Sequence, residues 1–201
     1  MSQTKAQLIN AVDGSIVDAD IVGLTSSKLS GALPAISGAS LTNLPSGGIT
    51  QSDQWRITST FVSSSTDITS NWERVDSGGF GLIGSGMTES SGIFTFPATG
   101  IYRIDFQVTA YRGTAAQIRF VNQYIKTTTD NSNYTEDSVS TNSISNDQNA
   151  YSSGVCTHQF DVTNVSTHKV KFFVQSESDL IWTGQTTLTQ TGVTFTRLGD
   201  T

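Results

Sequence analysis

From position 55 to 198, apolar residues recur at every second position in short runs, the period of a half-buried β-strand. The alternation is cleanest in Tyr102-Ile104-Phe106-Val108 and in Val170-Phe172-Val174. Clusters of Gly, Asn, Asp and Ser separate the runs. The pattern predicts strands over 55–62, 72–75, 80–84, 92–96, 101–112, 117–126, 154–162, 168–176, 180–183, 186–189 and 192–198. No helical stretch of useful length competes in this region. Many short strands at this spacing predict an all-β sandwich or barrel.

Residues 1–50 follow a different pattern. Apolar residues stand at Ile16, Ile21, Leu24, Leu29, Leu33, Ile36, Leu41, Leu44 and Ile49, with steps mostly of five and three. Ser-Gly-Ala recurs at 30–32 and 37–39, and Ser-Gly again at 46–47. Such steps match neither a helix nor a simple strand, but suit a short repeat exposing one or two apolar residues per unit. One thin chain cannot bury those residues. Three copies around an axis can, because the small residues let the backbones approach. The expectation is an extended trimeric stalk over 15–50, with these nine residues as its contacts; the competing expectation is a disordered linker. Over 1–14, Leu8, Ile9 and Val12 precede Asp13-Gly14, the pattern of a short helix that would serve as an attachment segment.

One motif is more specific. Gly92, Phe94, Pro97, Gly100, Tyr102, Ile104 and Phe106 are spaced Gly-x-Phe-x-x-Pro-x-x-Gly-x-Tyr-x-Ile-x-Phe. This resembles the signature of the complement C-one-q globular head, a trimeric jelly roll related to tumour necrosis factor, although that family has Phe where Ile104 stands. The sector after the motif follows the family's strand order, so the resemblance covers about residues 55–200. It implies an antiparallel jelly-roll knob over 51–201, with the motif's aromatic residues packed between two sheets. It also implies an interaction module that is almost always a homotrimer. The segment 28–45 is loosely similar to the shafts of phage tail fibres.

These resemblances imply a non-enzymatic phage virion fibre protein. Its N-terminus would dock other virion proteins, and its knob would bind a host-surface glycan or protein. The alternative is a head fibre or capsid decoration protein, which would stabilise the particle through its N-terminal segment. A small enzyme acting on surface polysaccharide is the third class.

Composition narrows the partners. Only 35% of residues are hydrophobic and 14% charged, with 18 Gly and 3 Pro, so much of the surface must be neutral and polar. The net charge of -6, with no Lys/Arg cluster, argues against nucleic acid and anionic membranes. No apolar run approaches the roughly 20 residues that span a bilayer. The first residues do not read as a secretory signal, so the expected location is a virion assembled in host cytoplasm. Cys156 lies within an apolar alternation and reads as a buried, inert thiol.

Little catalytic chemistry is visible. His158 and His168 flank a turn at 163–167 without other ligands at zinc spacing, and neither serves a nucleophile motif. Asp67, Glu73, Asp76 and Glu89 provide carboxylates, as any acidic chain does. No metal or cofactor is expected; calcium occurs in relatives, and Asp130, Glu136 and Asp137 would be its candidates. The long polar insertion over 127–152 suggests a receptor-facing loop, with Asn131, Asn133, Tyr134, Glu136, Asp137 and Tyr151 as adaptable contacts. Its competing reading is a solvated connection, partly paired as an edge hairpin.

Overall fold

The computed structural model describes residues 48–113 and 117–201. The expected stalk contacts Ile16, Ile21, Leu24, Leu29, Leu33, Ile36, Leu41 and Leu44, and the expected helix before Asp13, lie outside the described residues. Ile49 is described and is exposed.

The described residues form strands and no helix, and each strand pairs antiparallel with its neighbours. The long strands are those with the strictest alternation: β6 (Gly100–Tyr111), β9 (Tyr151–Val162) and β10 (Lys169–Trp182). One wall runs β3 (Trp72–Arg74), β1 (Ser52–Ile57), β11 (Gly192–Gly199), β6, β9. In the other wall, β10 is flanked on one side by β2 (Phe61–Asp67) and β5 (Ile93–Thr95). On its other side lie β7 (Val121–Thr128) and then β8 (Thr135–Asn142). β4 (Thr88–Ser90) pairs with β5 through Ser91-Gly92, both at positive φ, as a two-residue type I′ hairpin requires.

The walls are laced together on one side, where Ile181 and Trp182 of β10 pair with Tyr111 and Ala110 of β6. On the other side β8 and β9 share no ladder. They are joined by the Ser138 hydroxyl donating to Thr157 O at 2.9 Å and by the Cys156 thiol against Ser138 Oγ at 3.0 Å. The result is a jelly roll nearly closed into a barrel.

Phe94 is the hub of the core. Its ring meets Trp55, Trp72, Phe172 and Phe195 at centroid distances of 5.4, 5.1, 5.5 and 5.3 Å. Phe96, Tyr102, Ile104 and Phe106 are buried beside it. The Tyr102 hydroxyl donates to Ala98 O at 3.0 Å and so closes the turn that Pro97 begins. Gly100 has φ 143°, and a Cβ there would run into the Arg197 guanidinium and Gly199 O. That guanidinium donates to Thr99 O at 2.8 Å.

A buried carboxylate ties the first strand to the wall. Asp53 accepts from Trp55 Nε1 at 2.8 Å, the Met87 amide at 2.7 Å and Arg74 Nε at 3.0 Å. Arg56, equally buried, donates to Ser77, Glu73 and Asp76.

Several strand expectations need correction. The run 55–62 divides at a turn between β1 and β2. Residues 80–84 form no strand: Gly78, Gly79, Gly84 and Gly86 at positive φ make a winding connection, touched once by the bridge Ser52–Ile83. Residues 186–189 lie in a loop, and β7 begins at Val121. The separate strands 168–176 and 180–183 are one, because β10 runs through a register shift between Gln175 and Leu180 and stays paired with β2. The polar insertion contains β8.

The register also orients the barrel. Ser52 pairs with Thr196, and Gly199 with Ile101, so the chain enters and leaves at one end, here the near end. The turns 96–99, 129–134 and 163–168 share that end. The segments 143–150 and 183–191 lie at the far end, with Tyr111 and Tyr151.

Candidate functional site

The residues expected in one receptor loop are divided by the fold. Asn131, Asn133 and Tyr134 sit on the β7–β8 tip at the near end, whereas Tyr151 opens β9 at the far end. The tip is internally satisfied. Asp130 accepts from Thr128 Oγ1 at 2.8 Å, the Ser132 amide at 2.9 Å, and the Asn133 amide and side chain at 2.7 and 2.6 Å. These donors, those of Asn133 foremost, hold its carboxyl far below the usual carboxylate range. Asn131 turns the tip in the left-handed region at φ 61°.

Tyr134 is folded back on the barrel rather than displayed. Its ring lies 4.5 Å from Lys171 Nζ, and burial pushes its phenol pKa upward, with the Asp67 charge adding to the shift. Glu136 pairs with Lys126 at 3.2 Å. Asp137 accepts from the Thr127 amide and from the hydroxyls of Thr127 and Thr135. The three carboxylates weighed for calcium are thus engaged separately. Among the described residues no group of three or more His, Cys, Asp and Glu side chains comes together.

The other candidate groups are also structural. Asp67 holds Lys171 at 2.7 Å and Lys126 at 3.4 Å, Glu73 and Asp76 hold Arg56, and Glu89 accepts from the Gly92 amide at 2.6 Å. The Phe160 ring lies between the two imidazoles, 6.1 Å from His158 and 5.5 Å from His168. Each ring nitrogen of His168 already meets a hydroxyl, Thr163 or Thr167. Cys156 is buried, and that burial raises its thiol pKa and keeps it protonated at neutral pH.

A different surface stands out. On the outer face of β6 and β9, toward the far end, a groove of about 430 Å³ is lined by Gln107, Thr109, Ser153, Val155 and Gln190 over the Val108 and Gly154 backbone. Gln107 is held in place by donating to Thr189 O at 2.7 Å. Next along the strands, Tyr151 packs against Tyr111 at a tilt of 31°, with ring centroids 5.0 Å apart. Tyr151 is 63% exposed, Val155 55% and Leu188 62%. No charged side chain lines the groove. Its chemistry is neutral hydrogen bonding flanked by apolar contact, which suits recognition and has no acid, base or nucleophile pair.

The sequence reading missed these residues because it followed the inward phase of each strand. The one signal was Val155, an aliphatic residue on the outward phase of β9 among Ser153, Thr157 and Gln159. A smaller crevice of about 120 Å³ lies at the end of β2, beside Asp67 and Asn71. Among the described residues no helix is long and apolar enough to cross a membrane.

No family model matches the chain, and no curated protein matches its sequence. Solved structures do resemble it. The crystal structure of murine APRIL at pH 5.0 aligns with TM-score 0.52 at 16% identity, over 74% of this chain and 98% of that one. The structure of Eiger TNF from S. frugiperda aligns with TM-score 0.51 at 9% identity, over 75% and 93%. PRD1 vertex protein P5 aligns at 18% identity over 76% and 100%, with a TM-score of 0.43 that carries no argument. The first two likenesses are of fold: a jelly roll of the tumour-necrosis-factor kind.

Proposed function

We propose that this jelly roll is the non-enzymatic binding head of a homotrimeric, fibre-like virion protein, and that it attaches the particle to a host-surface glycan or protein. The domain reading that goes with it is a head over 51–201, a stalk over 15–50 and an attachment segment over 1–14. The observation that carries the proposal is the character of the groove over Gln107, Thr109, Ser153, Val155 and Gln190. It is open, uncharged and flanked by exposed Tyr151 and Val155, while Asp67, Asp130, Asp137 and His168 are occupied in holding the fold. A surface of that kind recognises and does not transform.

Homotrimerisation is supported by the resemblance of the signature to a trimeric family and by the jelly-roll architecture. Attachment through three weak sites gains by avidity, since the second and third contacts form at high effective concentration. The test is light scattering on the full chain, with binding of the labelled protein to intact bacterial cells and a glycan array. The expected result is a trimer that is retained reversibly and whose apparent affinity falls when the trimer is diluted apart. A single-chain species at every concentration, or a trimer retained by no cell or glycan, overturns the reading.

A further inference from the structure

Resting on the attachment reading above, we propose that the groove over Gln107, Thr109, Ser153, Val155 and Gln190 takes a short, uncharged oligosaccharide. The receptor is then a neutral glycan, neither an acidic polymer nor a protein.

The hydrogen-bonding inventory is the first argument. Gln107, Gln190, Thr109 and Ser153 carry side chains that both donate and accept, as every hydroxyl of a sugar does. Gln107 donates to Thr189 O at 2.7 Å, which fixes its amide and leaves Oε1 and the second N–H for a ligand. No described residue bonds the Gln190 amide or the Thr109 and Ser153 hydroxyls, so their capacity is unspent.

The second argument is an aromatic platform beside these groups. Across β6 and β9, Tyr111 pairs with Tyr151, Thr109 with Ser153 and Gln107 with Val155. The outward face therefore runs in three rows, rings, hydroxyls, then amide and methyls, about 7 Å apart at ~3.4 Å per residue. Tyr151 is propped by Tyr111 and still 63% exposed, so much of its ring is open. The C–H face of a pyranose is apolar, with slightly positive hydrogens that complement the negative face of an aromatic ring. From rings to amide the rows span about 14 Å, room for more than one sugar ring.

Charge decides which saccharide. No cation lines the groove, so a carboxylate or phosphate entering it would lose water without gaining a counter-charge. The nearest outward charge along β6 is Asp105, already held by Arg103 at 2.9 Å and by the Thr157 hydroxyl at 2.7 Å. The net charge of -6 repels acidic polymers further. At about 430 Å³ the groove has the size of a small-molecule site, whereas a protein partner calls for a broad apolar centre. Both strands are paired over twelve residues, so little ordering is needed on binding.

The test places the full chain on an array of uncharged glucose, galactose, mannose and N-acetylhexosamine oligosaccharides beside uronate-, sialate- and phosphate-bearing ones. Retention on the uncharged set alone is expected, equal at low and high salt because no ion pair is screened. Tyr151→Ala should lose at least tenfold in apparent affinity, with unchanged circular dichroism and light scattering. Ser153→Lys puts a cation in the middle row and should move retention toward the acidic glycans, a gain that a misfolded variant cannot produce. Retention on acidic glycans alone, falling with salt, overturns the inference and leaves attachment standing. So does binding to cells that protease abolishes and that periodate, which cleaves sugar diols, leaves intact. A Tyr151→Ala variant that binds like the parent also overturns it, by placing the site elsewhere. Retention on no glycan and no cell overturns this inference and the attachment reading together.

Discussion

Replacing Phe94 with alanine tests whether one ring organises the core of the barrel. The side chain is fully buried on a strand of only three residues, so β5 is held in the wall largely by what Phe94 touches. Truncating a buried Phe to Ala costs about 3–5 kcal/mol, the lost transfer plus the cavity. Phe94 meets four rings, two of them edge-on to tryptophan at 86° and 87°, and each such pair adds about 0.5–1.5 kcal/mol. The expected loss is therefore near the top of the range, about 4–5 kcal/mol. At about 2–4 °C per kcal/mol for a chain of this size, the midpoint should fall by about 8–20 °C. The assay is thermal and guanidinium unfolding followed by tryptophan fluorescence and circular dichroism at one protein concentration, because assembly shifts apparent stability. Trp55 and Trp72 report on the cavity directly. A loss below about 1 kcal/mol with unchanged fluorescence would refute the hub, since a core that absorbs this deletion is not organised around it.

Asp53→Ala leaves the buried Trp55 and Met87 N–H groups without their acceptor, while Arg74 keeps Met87 O, so a loss of about 2–3 kcal/mol is expected in the same unfolding assay; a neutral result would mean that water replaces the carboxylate. Gly100→Ala puts a Cβ at φ 143° against Arg197 and Gly199, at an expected cost of about 1–3 kcal/mol, which Arg197→Ala should partly relieve in a double-mutant cycle. For Asp130 the folded pKa lies below the unfolded value, so its stabilisation is present above the unfolded carboxylate pKa and is lost as pH falls toward the folded one. Asp130→Asn should therefore be less stable than the parent at neutral pH and indistinguishable from it in strong acid; a difference that persists in acid would show that the effect is not the charge.

Legibility in the sequence followed burial. β6, β9 and β10 bury one face along nearly their whole length, so their inward residues, from Tyr102 to Val108 and from Val170 to Val174, carry the period openly. β8 carries none. It is an edge strand whose inward Ser138 and Asn142 meet the Cys156 thiol and the Gln123 amide instead of hydrocarbon. Alternation between two polar faces leaves no hydrophobic signal. The segment 80–84 failed in the opposite way: Phe80 and Leu82 alternate, but the flanking glycines at positive φ take the backbone out of the strand region.

The candidate site was harder to read for a related reason. A carboxylate that caps a turn and one that binds a ligand look alike in a sequence, so Asp130, Glu136 and Asp137 drew attention that their hydrogen bonds do not support. The groove residues were overlooked because Gln, Thr and Ser on an outward phase are ordinary surface until geometry gathers them.

Because β1 begins and β11 ends at the same end of the barrel, the opposite rim is built from connections between strands. Segment 143–150 joins β8 to β9 there; Ile144 is buried in the core and the buried Arg112 donates to Ser145 O, whereas residues 146–149 are exposed. The exposed tip 146–149 can accept new sequence at little cost to folding, so natural variants should diverge fastest there. It also offers a grafting point at which a foreign peptide would be displayed at the end of the barrel opposite the start of β1 and the close of β11.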